Sequence, residues 1–356
     1  MTTPAEPRPE SSPESSSEPS RSTFVARNPT DLIAVVPAVL GFHPQDSVVL
    51  LTFGPPEGAF HARVDLPVEA DEQDAVAGVL LDAVLANQAR RAAVLIYTDD
   101  VEAANAQAEV LLARLLEHAV EVIDVLRVDD DRWHRVPEDG SPGTPYRLDT
   151  HPFTAQRVFE GQVVHRDREE LQDSLIGTDE EDSVDVALAA TRFADLVAGS
   201  RKAAHRFLRS EARWLQQRIR SRIDDRQQLD ARDAGRLLVL ASLVPTRDVA
   251  WAEISRANSG GHVDLWRELV RRSPRDLLPG PASLLAFAAW QHGDGALAWC
   301  AIDRCLEVDP DYTLAHYVAE VLNHAVPPTV WQQLREDDLP VFRKVVPLHG
   351  RAHRAS

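Results

Sequence analysis

TDLIAVVPAVLGFHPQDSVVLLTF, residues 30–53, joins an apolar helix to an apolar strand through a polar knot. Thr30 is placed to cap the helix, its hydroxyl accepting from a free N–H of the first turn. Gly41 closes the apolar run, as a helix C-terminus prefers, because glycine takes a positive φ at little cost. Pro44 turns the chain by biasing His43 away from helical angles. Val48–Phe53 is continuously apolar, β-branched at its start, and predicts a buried strand. The knot between them, Phe42-His43-Pro44-Gln45-Asp46-Ser47, is gripped at both ends by buried elements. A loop so held can carry a site. It can also be a packed corner.

Downstream, residues 54–58 read as a turn, and Ala59–Leu66 alternates with period two. Phe60, Ala62, Val64 and Leu66 share one face; His61, Arg63 and Asp65 share the other. The short loop predicts an antiparallel hairpin. Helical spacing over Asp71–Gln88 and Val101–His118 separates apolar runs at Ala92–Thr98 and Glu121–Val128, and Arg132–Val136 returns beside the last of these. Strands alternating with helices predict an α/β domain over residues 24–148, with a mixed, mostly parallel sheet and one antiparallel hairpin. Glu138–Pro145 reads as a linker.

From about residue 149 to 348 the pattern predicts an all-α domain. Its helices fall at about 152–160, 167–175, 181–199, 201–223, 231–243, 247–257, 262–272, 281–292, 295–308 and 312–324. Asp167-Arg168-Glu169-Glu170 resembles a capping box. Small residues around 295–324, with Asp309-Pro310 at the turn, resemble one tetratricopeptide-like hairpin. Residues 1–22 are Pro, Glu and Ser with almost nothing to bury, which predicts a disordered tail. Residues 349–356 read as a loose end.

The chain has 356 residues and 44% apolar side chains, enough for two domains with real cores. Its net charge of −18 argues against general binding to nucleic acid or anionic membranes. Ser200–Arg236 is locally basic, which fits a partner-binding or RNA-touching helix, or a solvated arginine face. Two cysteines, Cys300 and Cys305, suggest no disulfide framework. Neither a secretory signal nor a membrane-length apolar run is visible, so the cytoplasm is the expected compartment.

Strand direction gives the one testable site. In an open α/β sheet, ligands gather beyond the carboxyl ends of the strands. Those ends carry Asp65; Asp99 and Asp100; and Asp129, Asp130 and Asp131. The first strand runs the other way, so its beginning, with Phe42, His43, Asp46 and Ser47, lies on the same rim. Crowded carboxylates call for a cation or a proton. Asp46, Asp99 and Asp129 are therefore candidate ligands for Mg²⁺ or Mn²⁺, with His43 and Asp46 as candidate acid/base groups. Phe42, His43, Asp46, Ser47, Arg63 and Asp65 are candidate binding residues. Asp99 or Asp100 is also an ordinary N-cap, Asp129–Asp131 also an ordinary turn, and His61, Arg63 and Asp65 also a charge network under a helix.

The run DLIAVVPAVLGFHPQDSVVLLTF, followed by ARVDLP, resembles an actinobacterial family known as domain of unknown function 4192. FEGQVVHRDREEL at Phe159–Leu171 and LLAFAAWQHGDGALAWCAIDRCLEVDPDY at Leu284–Tyr312 agree with it. The resemblance implies no activity and no fold. On the residues alone, the leading expectation is a cytoplasmic binding or adaptor protein for a protein partner or small molecule. The alternative is a divalent-metal-dependent hydrolase of phosphorylated small molecules.

Overall fold

A computed structural model describes residues 25–54, 60–69, 71–137, 140–159, 163–200 and 204–343. The expected tails at 1–22 and 349–356 lie outside the described residues, as does most of the turn after Phe53. The first helix, α1, is Pro29–Leu40. Its cap is Asn28, whose side chain accepts from the Asp31 N–H, and not Thr30. Pro29 explains the shift: its locked φ and missing N–H suit the first helical position, which moves the start one residue upstream. Gly41 ends the helix at φ 76°.

Six strands follow: β1 Ser47–Phe53, β2 His61–Asp65, β3 Arg91–Tyr97, β4 Glu121–Val128, β5 Arg132–Arg135 and β6 Thr144–Pro145. Helix α2, Glu72–Ala86, joins β2 to β3, and α3, Val101–Glu117, joins β3 to β4. The sheet order is β2-β1-β3-β4-β5-β6. β2, β3 and β4 all run one way, as their connecting helices require. The sheet is nevertheless not mostly parallel, because β1 lies antiparallel between β2 and β3 and leaves β3–β4 as its one parallel pair among the described residues. β6 falls inside the stretch read as linker; two residues are too short for a periodicity to register.

The strands alternate between two cores. Val48, Leu50, Val94 and Ile96 pack on Leu80, Val84, Leu111 and Leu115 of α2 and α3. Val49, Leu51, Leu95 and Leu126 pack on Ile33 and Val36 of α1. This second core runs without a break into the helical half.

Among the described residues that half holds ten α-helices: α4 Pro152–Phe159, α5 Arg168–Asp173, α6 Glu180–Gly199, α7 Ala204–Asp224, α8 Ala231–Ser242, α9 Val244–Glu253, α10 Ser259–Arg272, α11 Pro279–His292, α12 Gly295–Leu306 and α13 Thr313–Asn323. Helix α11 is buried from Pro279 to Gln291 and packs on α8, α9, α10, α12 and α13. An apolar helix with no polar face belongs at such an axis. Asp167 caps α5 by accepting from the Glu170 N–H. Four arginines of the basic stretch on α7 are paired within the fold: Arg213, Arg218, Arg220 and Arg222 with Glu336, Asp233, Glu253 and Glu268. No helix among the described residues is long and apolar enough to cross a membrane.

Candidate functional site

The rim is one register row. Asp65 of β2 faces Ser47 of β1, Ser47 faces Tyr97 of β3, Tyr97 faces Val128 of β4, Val128 faces Trp133 of β5, and Trp133 faces Thr144 of β6. Residues directly opposite in a sheet lie on the same face. Val128 and, against it, Tyr97 and Trp133 belong to the core on the α1 side.

At one end of the row, Arg63 is nearly buried. Its Nε donates to Ser47 Oγ at 2.9 Å, and it pairs with Asp65 at 2.6 Å. Burial draws the Arg63 guanidinium below its usual pKa, while Asp65 raises it. Ser47 Oγ in turn donates to the Gln45 carbonyl. Three of the expected binding residues therefore form a closed network. His61 shares their face, at the far end of β2. Burial takes its pKa down to about 4.

The GFHPQDS knot is a corner. Phe42 is 2% exposed and belongs to the core, and its backbone bridges to His165. Asp46 sits at φ 40°, its carbonyl accepting from the Leu66 N–H and its carboxylate from Thr98 Oγ1 at 3.3 Å. It thus ties β1 to the ends of β2 and β3. The His43 side chain has no hydrogen-bond partner among the described residues, and burial lowers its pKa. No hydrogen bond joins the two candidate acid/base groups, His43 and Asp46, among the described residues.

Asp129 is committed as well. Its carboxylate lies 3.3 Å from Arg127 Nη1 and 3.3 Å from His134 Nε2, and accepts from the Arg132 N–H at 2.8 Å. Arg127, 5% exposed, also donates to the Thr98 carbonyl. The His134 ring lies against Gly143, where an added Cβ would come within 2.5 Å of it. Asp100 caps α3 by accepting from the Ala103 N–H. Asp99 is exposed and makes no side-chain bond among the described residues. Among those residues no three His, Cys, Asp or Glu side chains are placed to hold a metal ion. Asp46, Asp99 and Asp129, the candidate Mg²⁺ or Mn²⁺ ligands, are not brought together as one set: Asp46 serves the corner, Asp129 the turn, and Asp99 faces solvent.

What the sequence reading missed lies mid-row. Tyr97 Oη and Trp133 Nε1 are both buried, and neither has a hydrogen-bond partner among the described residues. Burial, with Tyr146 nearby, pushes the Tyr97 phenol well above its usual pKa, so it remains a donor. Tyr146 Oη donates to the Asp129 carbonyl. Two buried donors on one face of the row, on β3 and β5 with Val128 of β4 between them, can each take an acceptor atom of a guest molecule. No signal in the one-dimensional pattern marks them, because an aromatic residue ending a strand looks like core.

These features define an α/β sheet with a polar carboxyl rim, fused through a shared core to a helical half. Residues 29–329 match the family described as Domain of unknown function (DUF4192), and the chain belongs to that family. The match runs from α1 past the end of α13. Searches of curated proteins and of solved structures found no match.

Proposed function

We propose that this chain is a binding protein, with a small-molecule or partner site at the carboxyl rim of its sheet and no catalytic chemistry of its own. One observation carries the reading: Tyr97 and Trp133 keep unpaired buried donors on the row that also holds Ser47 and Asp65. A fold that satisfies Arg63, Arg127 and Asp129 nearby has the means to satisfy these two, and leaving them open costs stability. An acceptor-bearing guest offsets that cost. The free, buried cysteines Cys300 and Cys305 support a reducing compartment such as the cytoplasm. The hydrolase alternative draws less support, since its ligands are spent on corner, turn and solvent.

Thermal-shift measurement on the full chain tests this. The probes are Mg²⁺, Mn²⁺ and a panel of small carboxylates, amides and nucleotides. A ligand for the folded state raises the melting point by mass action. An organic acceptor that does so in the wild type but not in Tyr97→Phe or Trp133→Phe supports the rim. A shift by Mg²⁺ or Mn²⁺ alone, abolished in Asp99→Asn, overturns it in favour of the metal-dependent enzyme.

A further inference from the structure

A second concavity lies in the helical half, unrelated to the rim. It has a volume of about 250 Å³ and lies open to solvent. That is room for a single-ring ligand. Gln291 of α11 forms one wall, Ser255 and Arg256 before α10 form another, and Pro328 and Trp331 close it from the C-terminal side.

The wall is stiff. Trp331 stacks on Trp251 at 5.2 Å between ring centroids and meets Phe287 edge-on at 5.0 Å. Gln333 Nε2 donates to the Ala252 carbonyl at 2.9 Å, fastening the segment that carries Trp331. The Arg256 carbonyl is held by Ser259 Oγ at 3.0 Å.

Three of the polar groups at the pocket are open donors. Gln291 is 1% exposed, and its amide Nε2 is buried without a partner. Trp331 Nε1 is likewise buried and unpartnered. Arg256 is exposed and has no carboxylate partner among the described residues. Gln291 Nε2, Trp331 Nε1 and the Arg256 guanidinium all donate, and Arg256 is cationic. Arginine forks favour carboxylates, and flat apolar ligands favour tryptophan and proline walls. Ser259, behind the pocket, lies 3.2 Å from His292 Nδ1 but is 2% exposed and donates to the Arg256 carbonyl. That contact serves the wall.

We infer that the pocket formed by Gln291, Arg256 and Trp331 binds a small planar carboxylate, an aromatic ring bearing one carboxyl group. The ring lies against Trp331 and Pro328, and the carboxylate takes the Arg256 and Gln291 donors.

Titration of the full chain with benzoate, followed by calorimetry, tests this, with benzamide as the uncharged control. Arg256→Ala changes an exposed side chain and leaves the fold intact; Gln291→Leu keeps the bulk and removes the donor. Binding of benzoate that is at least tenfold tighter than benzamide, and weakened at least tenfold by each variant, supports the site. Saturation unchanged by both variants, equal affinity for benzamide, or no heat at millimolar benzoate overturns it. Tyr97→Phe serves as a further control: it leaves benzoate binding unchanged if the two sites are separate, and a loss of binding there rejects the helical pocket.

Discussion

Ser47, the first residue of β1, faces Tyr97, the last residue of β3. This antiparallel pairing brings the start of one strand to the edge where three others end. It draws residues from six strands into a single row, and it places a satisfied hydroxyl, Ser47, beside an unsatisfied one, Tyr97.

Gly143 is the backstop for the His134 ring. It sits at φ 67°, and a Cβ there would meet the ring at 2.5 Å. Gly143→Ala therefore costs about 2 kcal/mol, from both the backbone strain and the clash. Urea unfolding measures it. A loss below about 0.5 kcal/mol, the range of an ordinary surface change, would contradict the packing described.

Arg127 depends on Asp129. Asp129→Ala takes the carboxylate acceptor away from a buried guanidinium that also donates to the Thr98 carbonyl, at a cost of about 2 kcal/mol. Asp129→Asn keeps an acceptor and loses less. Equal stability of the two variants would show that the acceptor at that position is irrelevant.

Two buried histidines make the fold acid-labile. Burial takes His61 to about 4 and His262 to about 3, against about 6.5 in the unfolded chain. The unfolded state then takes up protons that the folded state refuses, so stability is full above about pH 6.5 and falls as pH drops toward 4. Each histidine accounts for about 2 kcal/mol between pH 7 and pH 5. His61→Leu removes one titration and with it about 2 kcal/mol of the loss between pH 7 and pH 5. Identical slopes for variant and wild type would remove His61 from the account.

Much of this architecture could be read from the residues. Short connections and apolar runs set the direction of β2, β3 and β4, and the helix ends agreed to within a few residues. The place of β1 between β2 and β3 could not be read, because strand order depends on which faces α1, α2 and α3 cover and not on local pattern. The candidate site divided in the same way. Arg63, Ser47 and Asp65 share a face, as period two requires. The aspartates drew notice through their charge, yet Asp100 caps a helix and Asp129 holds a turn and an arginine. Tyr97 and Trp133 carry no charge and sit in apolar company. Their open donors follow only from the register that aligns them and the burial that isolates them. Gln291, near the end of an apolar helix, is hidden for the same reason.

The unfolding free energy of Tyr97→Phe, measured without ligand, bears most directly on the claim that the rim is kept open for a guest. The account predicts a rise of about 1 kcal/mol, because the variant deletes a buried hydroxyl that the fold leaves unsatisfied. A fall of similar size would mean that the hydroxyl has a partner within the fold, and would contradict the account.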